Sequence, residues 1–283
     1  MSFDSGFQAR RRRLTSLCVN ADPSVELLQS WGLPPGAAGL AAFVDTVLEA
    51  VRDTVAVVKP QSAFFEQFGP DGMAELQRLC SRLSQRGILV IADCKRGDVG
   101  HSMEAYARTW LGPDRAYAVS AMTLNPYLGF GALWPAIGLA ASSGQATFVV
   151  VSSSNAEGAA VQAALTPGGQ SVAAGLAADV AGANARLLGA GGAGRTGPCG
   201  AVCGLSGERS PGPLPGLLGN APILVPGIGA QGGTCGDFLV QFAGHLDRAI
   251  PAVGRDILRH GPSARHLAEA IGRFQDLLAP TRD

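Results

Sequence analysis

Lysines and aspartates stand at the ends of apolar runs in this 283-residue sequence. Asp93, Lys95 and Asp98 lie in a single ten-residue segment, IADCKRGDVG, while Lys59 and Asp22 each follow an earlier apolar run. In a partly dry site, alternating charges keep each lysine protonated and each aspartate ionised. Two lysines and three aspartates that lie close together therefore indicate a site where charged side chains carry out binding or catalysis. Isolated charges at strand ends, by contrast, are often only solvated.

The spacing of the third segment places two of these charges together. Residues i and i+2 of a strand point to the same side, so Asp93 and Lys95 should face one pocket. Asp98 lies beyond the strand, where a turn through Gly97 can redirect it. Because Lys95 follows an apolar run that should be buried, we interpret it as a site residue rather than as a surface charge.

The elements that would position these residues alternate along the chain. Short apolar, β-branched runs are followed by Ala- and Leu-rich amphipathic stretches. The predicted strands are Leu14–Ala21, Thr54–Lys59, Ile88–Asp93, Ala116–Thr123, Thr147–Ser152, Gly200–Leu205, Pro222–Val225 and Arg248–Val253. The predicted helices are Gly39–Arg52, Pro70–Arg86, Ser102–Leu111, Ala132–Ala141, Val172–Leu188, Gly236–Ala243 and Ser263–Leu278.

This alternation predicts a single (β/α)8 TIM barrel over residues 1–283, with a short N-terminal helix that carries the basic run Arg10–Arg13. The Pro/Gly-rich segment Glu208–Leu218 can hold only a short helix, and Gly189–Gly200 should form a surface loop. Three glycines of this loop match the spacing G-x-G-x-x-G. A dinucleotide fingerprint needs a strand before it and a helix after it, and here the predicted order is reversed.

The loops after predicted strands seven and eight indicate an anion site. In barrels of this kind these loops usually bind phosphate. Gly232, Gly233 and Gly254 would let backbone N–H groups approach an anion, and Arg255 could add a bidentate contact. Ordinary tight turns are the alternative explanation of the glycines.

Composition excludes several classes of protein. The 22 basic and 22 acidic residues balance, so nothing suggests a nucleic-acid partner. We find neither a secretory signal nor a membrane span, and expect a cytoplasmic protein with its six cysteines reduced. Cys199 and Cys203 have no second Cys/His pair at zinc spacing, and the four histidines form no ligand set, so we expect no metal.

The strand-end motifs carry a family resemblance over nearly the whole chain. The pattern Asp-x-Lys-Arg-x-Asp-Val-Gly at 93–100 resembles the hallmark of orotidine 5'-monophosphate decarboxylases, and of their bacterial subgroup of about this length in particular. Further motifs similar to that family, in the same order, are LCVNADP at 17–23, VKPQSAFFE at 58–66, NPYLG at 125–129, SSN at 153–155, PGIGAQGG at 226–233 and VGR at 253–255.

The resemblance implies a cofactor-free decarboxylase that converts orotidine 5'-phosphate to UMP and CO2 in pyrimidine synthesis. Loss of CO2 leaves a carbanion at C6, and Lys95 fits the cation that stabilises and then protonates it. Asp93 would lie near the departing carboxylate, and Lys59 and Asp98 would complete a network of alternating charge.

The resemblance also assigns the remaining contacts. Asp22 and Lys59 would bind ribose hydroxyls, and Ser102 would touch the ribose. Ser154 could bind the pyrimidine edge, and Gln231 could extend from phosphate to base. The family further implies a homodimer with shared active sites, in which Asp98 is contributed to the neighbouring subunit's site.

Several positions depart from the family pattern. Asn20-Ala21 replaces the usual Gly-Ile, His101 replaces a small residue, and Asn125 and Ala156 replace residues that are more often Ser and Pro. A paralogue acting on a related nucleotide and a catalytically silent nucleotide-binding barrel therefore stay open, while a metal-dependent sugar-phosphate lyase would need a different third-strand motif. Asn20 should face the same pocket as Asp22, and we expect it to pair there with Asp22, Lys59 or water.

Overall fold

The fold is a closed barrel. The computed structural model describes residues 2–192, 194–205 and 214–279. Its eight parallel strands pair in sequence order, and the eighth pairs back with the first, which confirms the predicted (β/α)8 TIM barrel. The strands are β1 (Cys18–Ala21), β2 (Val57–Pro60), β3 (Leu89–Arg96), β4 (Ala121–Leu124), β5 (Ala146–Ser152), β6 (Cys199–Cys203), β7 (Ile223–Pro226) and β8 (Ala249–Val253).

Helices connect the strands and form the outer layer. Those that the structure describes are α1 (Phe3–Arg13), α2 (Val25–Ser30), α3 (Ala37–Val51), α4 (Ala63–Glu66), α5 (Gly69–Gln85), α6 (Gly100–Trp110), α7 (Trp134–Ser142), α8 (Ala159–Gln162), α9 (Val172–Leu188), α10 (Leu214–Leu217), α11 (Cys235–Gln241), α12 (Arg255–Leu258) and α13 (Ala264–Leu278). The seven predicted helices all form, and their ends lie within two residues of the predicted ones.

The strands differ from prediction mainly at their ends. β1 begins at Cys18 rather than at Leu14, because the residues before it connect the strand to the end of α1. β4 likewise begins five residues later than predicted, at Ala121. β3 continues to Arg96, so that Asp93 and Lys95 both lie within the strand instead of at its end.

The N-terminal end of the barrel is closed by apolar side chains. Val57, Ile91 and Phe148 belong to a buried cluster inside the barrel, which Phe3 and Phe7 of α1 join from below. The rings of Phe3 and Phe148 meet edge to face at 5.6 Å. Because this end is filled, a ligand can enter the barrel only from the C-terminal end of the strands, as is usual for this fold.

Two predicted loops can be compared with the structure. Gly189–Gly192 forms a single 3-10 turn between α9 and β6, so the rejection of a dinucleotide fingerprint was correct. The predicted loop up to Gly200 was too long, because β6 begins at Cys199. In the segment predicted to hold a short helix, residues 206–213 lie outside the described residues, and α10 follows them.

The six cysteines are buried free thiols, in agreement with the prediction. Burial raises the pKa of Cys199 and of Cys203 to about 12. Over residues 2–192, 194–205 and 214–279, no group of three or more His, Cys, Asp or Glu side chains is arranged to hold a metal ion. None of the described helices has the length and apolar character that crossing a bilayer requires.

Candidate active site

Strand alternation brings the charged residues of β2 and β3 to the open mouth of the barrel. Val57 and Ile91 line the barrel interior. Lys59 and Asp93, two residues further along the same strands, therefore point to the same side and form the next layer above the apolar core. This layer is the floor of the candidate site.

Asp93 is the centre of a three-residue charged cluster. Its Oδ2 lies 2.5 Å from Lys59 Nζ, and its Oδ1 lies 2.6 Å from Lys95 Nζ. The hydroxyl of Thr123 on β4 also donates to Oδ1, at 3.0 Å. The side chains of Lys59 and Asp93 are 5% and 9% exposed, whereas that of Lys95 is 45% exposed. Lys95 is thus the member of the cluster that a bound molecule can reach.

Electrostatics keep the two buried members of this cluster, Asp93 and Lys59, ionised. Burial acts to raise the pKa of Asp93, but the ammonium groups of Lys59 and Lys95 outweigh it and bring this pKa well below its usual range. Burial likewise acts to lower the pKa of Lys59, but the carboxylates of Asp93 and Asp22 raise it above its usual value. Neutral pH therefore leaves both groups charged.

The backbone of Lys95 is unusual. Its φ is +43°, in the left-handed region that a non-glycine residue adopts only at a cost. The register of β3 against β4 shifts between Ala92 and Arg96, and the Lys95 N–H donates to Thr123 Oγ1 at 2.8 Å. Lys95 Nζ thus meets Asp93 from an irregular part of the strand. Gln61 supports it, since its Oε1 lies 3.2 Å from that nitrogen.

Asp22 follows β1 and lies beside the cluster. Its Oδ1 accepts a hydrogen bond from the backbone N–H of Gln61 at 3.2 Å. Burial raises the pKa of Asp22, and the charge of Lys59 opposes this rise only in part. The Asp22 carboxylate thus has few hydrogen-bond partners for its degree of burial. It is suited to accept hydrogen bonds from hydroxyl groups of a ligand.

The carboxylate of the loop after β3 does not join the cluster. Asp98 Oδ1 accepts from the backbone N–H of Val99 at 2.8 Å, and the carboxylate forms no ion pair with any described residue. Ser102 and His101 lie exposed on the first turn of α6, where His101 Nδ1 is 3.5 Å from Glu104. Within one chain, the structure therefore brings together Lys59, Asp93 and Lys95 but not Asp98.

The glycine-rich loop after β7 adopts backbone conformations that favour glycine. Gly227, Gly229 and Gly232 all have positive φ, at 121°, 81° and 94°. A Cβ on Gly229 would lie 2.0 Å from Oδ2 of Asp256, and one on Gly233 would lie 2.5 Å from Leu205. Side chains at these two positions would collide with their neighbours, so the two residues line this edge of the mouth with backbone atoms alone.

The turn after β8 supplies a free cation at the same edge. Gly254 immediately precedes α12, whose first residue is Arg255. The Arg255 side chain is exposed and has no side-chain partner among the described residues, whereas the neighbouring Asp256 pairs with Arg259 at 3.3 Å. A guanidinium beside glycine-rich backbone is an arrangement suited to a phosphate.

Ser154 and Gln231 connect the loops across the mouth. The hydroxyl of Ser154, after β5, donates to Oε1 of Gln231, in the loop after β7, at 2.9 Å. Both side chains keep hydrogen-bonding capacity for a ligand. The predicted substrate residues of these two loops are thus direct neighbours.

The departures from the family pattern have different surroundings. Asn20 faces the barrel mouth next to Gly254, and its Oδ1 is buried without a hydrogen-bond partner in the described structure. The described residues show no hydrogen bond from Asn20 to Asp22 or Lys59, because the amide lies against Gly254 on the β8 side, and the expected alternative of pairing with water stays a prediction. Asn125 Oδ1 instead caps a local turn by accepting from the Tyr127 N–H at 3.1 Å.

Sequence comparison decides the family. The model of the orotidine 5'-phosphate decarboxylase / HUMPS family matches residues 15–271. The chain belongs to this family. An orotidine 5'-phosphate decarboxylase of Streptomyces coelicolor is 45% identical over 273 residues, which cover 95% of each chain. One from Myxococcus xanthus is 41% identical over 280 residues, covering 99% of this chain and 95% of the relative.

Structural comparison agrees with this assignment to the orotidine 5'-phosphate decarboxylase / HUMPS family. A crystal structure from Streptomyces avermitilis, provisionally assigned as an orotidine 5'-phosphate decarboxylase, superposes with a TM-score of 0.90. The two chains are 41% identical, and the match covers 98% of this chain and 94% of the other. Membership thus rests on sequence and fold together.

Two side chains of this family member's cluster were missed by the sequence analysis. Thr123 touches both the carboxylate of Asp93 and the backbone of Lys95, and Gln61 touches Lys95 Nζ. Thr123 lies two residues after Ala121, which faces the barrel interior, so strand alternation could have identified it. Gln61 follows β2 directly, but no periodicity marks it.

Proposed function

We propose that this protein is an orotidine 5'-phosphate decarboxylase that forms UMP and CO2 in pyrimidine synthesis, in the cytoplasm, as one barrel domain. The observation that carries the proposal is the Lys59–Asp93–Lys95 cluster, which lies at the same mouth as the glycine-rich loops and Arg255. A nucleotide whose phosphate binds at those loops can extend its base towards Lys95. The named relatives support the choice of substrate.

The reaction needs a cation that is also an acid. The bond between C6 and the carboxylate breaks, its electron pair stays on C6, and CO2 leaves. The ammonium of Lys95 stabilises the developing negative charge and transfers a proton to C6, which gives UMP, and the amine regains a proton from water. The exposure of the Lys95 side chain and its contact with Asp93 support this role.

The other residues would position the nucleotide. Asp22 and Lys59 would bind ribose hydroxyls, because the two lie close together at the mouth and carry opposite charges. Ser154 would bind the pyrimidine edge, and Gln231, already in contact with it, would extend towards the phosphate. The phosphate itself would lie against Gly232, Gly233, Gly254 and Arg255.

A second copy of the chain would complete the site. Asp98 does not join its own chain's cluster and Ser102 is exposed, and both would contact the nucleotide in the neighbouring subunit. Apolar side chains surround this loop on the surface, with Val99, Tyr127 and Leu128 exposed by 56%, 82% and 53%. Such a patch is typical of a protein interface, and we therefore include a homodimer with shared sites in the proposal.

Complementation tests the proposed function in a cell. The gene should restore growth of a uracil auxotroph that lacks the decarboxylase, while the Lys95→Ala gene should not. UMP should bind both purified proteins. Binding of UMP without turnover by the wild-type protein would favour the silent nucleotide-binding barrel, and turnover of a different nucleotide would favour the paralogue.

A further inference from the structure

Arg96 directly follows Lys95, yet its side chain leaves the barrel mouth. The guanidinium Nη2 forms a close ion pair with Oε1 of Glu66, at the end of α4. The side chains of Arg96 and Glu66 are only 31% and 34% exposed. The pair therefore connects the end of β3 to the segment that follows β2, the strand of Lys59.

The same guanidinium contacts the helix after β3. Its central carbon lies 5.6 Å from the ring centroid of Tyr106, within the range of a cation–π interaction. Tyr106 belongs to α6, whose first turn carries Ser102. One side chain thus joins α4 to α6 around the loop that contains Asp98.

The backbone of Arg96 is held as well. Its carbonyl accepts a hydrogen bond from the Asn125 N–H at 2.9 Å, and Arg96 pairs with Leu124 after the register shift. Gly97 then passes so close to the carbonyl of Asn125 that a Cβ there would lie 2.2 Å from its oxygen. Arg96 is therefore held by Glu66, by Tyr106 and by the Asn125 backbone, immediately after the left-handed Lys95.

A strained backbone persists only where its surroundings over-determine it. On the preceding side, Lys95 is held by the Thr123 hydroxyl; on the following side, the chain is anchored by the side chain of Arg96. We infer that Arg96, through Glu66 and Tyr106, is a positioning residue that holds Lys95 in its left-handed conformation and its ammonium at Asp93. This inference rests on the proposed decarboxylase function, in which Lys95 is the acid.

Arginine is suited to this position in a way that lysine is not. A planar guanidinium can pair with a carboxylate at its edge and stack on an aromatic ring with its face. A lysine would keep the charge near Glu66 but lose the stacking on Tyr106. Arg96→Lys should therefore retain part of the function that Arg96→Gln loses.

The test compares Arg96→Gln with a matched ion pair outside the site. Arg78 bridges two carboxylates, Glu75 at 2.7 Å and Asp45 at 2.5 Å, and its side chain is 33% exposed, close to the value for Arg96. Arg78→Gln should therefore lower stability at least as much as Arg96→Gln but leave kcat unchanged. Arg96→Gln should lower kcat by about thirtyfold, equivalent to about 2 kcal/mol of barrier, with a much smaller change in UMP affinity. Arg96→Lys and the exchange Arg96→Glu/Glu66→Arg should each recover part of kcat.

A second readout does not depend on turnover. The rate at which Lys95 is acetylated, followed by mass spectrometry, reports how its ammonium is held, and it should rise in Arg96→Gln but not in Arg78→Gln. If kcat and this rate both match those of Arg78→Gln, Arg96 is only structural and the inference is wrong. If the wild-type protein shows no turnover, the proposed function fails, and the acetylation rate alone decides the placement of Lys95.

Discussion

Lys95 Nζ lies 2.6 Å from Asp93 Oδ1, and the backbone of Lys95 is left-handed. The two residues are separated by one position on a single strand, so both side chains face the mouth of the barrel. The ion pair thus forms where the strand is irregular. Lys59 holds the other oxygen of the same carboxylate.

Removing the central carboxylate should destabilise the protein. Asp93→Asn leaves Lys59 buried without its anionic partner, and breaking a buried pair in this way costs about 3 kcal/mol or more. Urea unfolding of the ligand-free protein measures the loss. Thr123→Val is the control, because it removes two hydrogen bonds, to Asp93 and from the Lys95 N–H, but leaves every charge paired. It should cost about 2 kcal/mol, about 1 kcal/mol for each bond. Equal losses for the two variants would contradict the central role of Asp93.

Replacing Asp22 should stabilise the folded protein, which is the opposite of the effect expected for Asp93→Asn. The pKa of Asp22 is raised by burial, so the folded state binds more protons than the unfolded state between the unfolded pKa and the folded pKa. This carboxyl therefore makes the protein less stable as the pH rises through that window. Asp22→Asn should increase the free energy of unfolding at pH 7, with a smaller gain near pH 4, while it weakens UMP binding. A loss of stability at pH 7 would contradict this account.

The order of the strands and the gathering of Lys59 and Asp93 were predictable from the sequence. Both follow from period-two alternation, since apolar residues two positions earlier face the barrel interior. The left-handed conformation of Lys95 was not predictable, because it depends on a hydroxyl from β4 and on Arg96 anchored to α4. Local spacing contains no information on such contacts between distant segments.

Two of the short helices and the direction of the Asn20 amide also escaped prediction. α4 and α12 have four residues each, too few to show a helical period. Asn20 was correctly expected to face the mouth, but the direction of its amide depends on the close approach of Gly254 from β8. Alternation sets the face of a strand on which a side chain lies, and packing sets its rotamer.

Arg255 should act on binding more than on chemistry. Arg255→Ala should raise KM by about tenfold or more, since a charge-assisted phosphate contact contributes about 1.5–3 kcal/mol. Because binding energy far from C6 also supports the reaction, kcat/KM should fall further than kcat. Arg259→Ala is the control, since Arg259 already pairs with Asp256. An unchanged KM in Arg255→Ala would assign this residue a structural role.

Shared sites should be visible in mixed dimers. A heterodimer of one Lys95→Ala subunit and one Asp98→Ala subunit contains one site without any substitution, if each Asp98 serves the neighbouring subunit. Its activity should reach about half that of the wild-type dimer. Differently tagged subunits, purified through both tags, provide the heterodimer. If each homodimer is inactive and the verified heterodimer is equally inactive, Asp98 acts within its own chain.

The most direct test of the account is CO2 release from orotidine 5'-phosphate by the purified protein after exhaustive chelation, with Lys95→Ala measured in parallel. We predict full activity for the chelated wild-type protein, because Lys95 itself supplies the cation and the proton. Lys95→Ala should lose nearly all turnover and still bind UMP. Activity that needs a divalent metal would contradict the account. So would a Lys95→Ala variant that keeps a tenth of the wild-type kcat, a barrier difference of only about 1.4 kcal/mol.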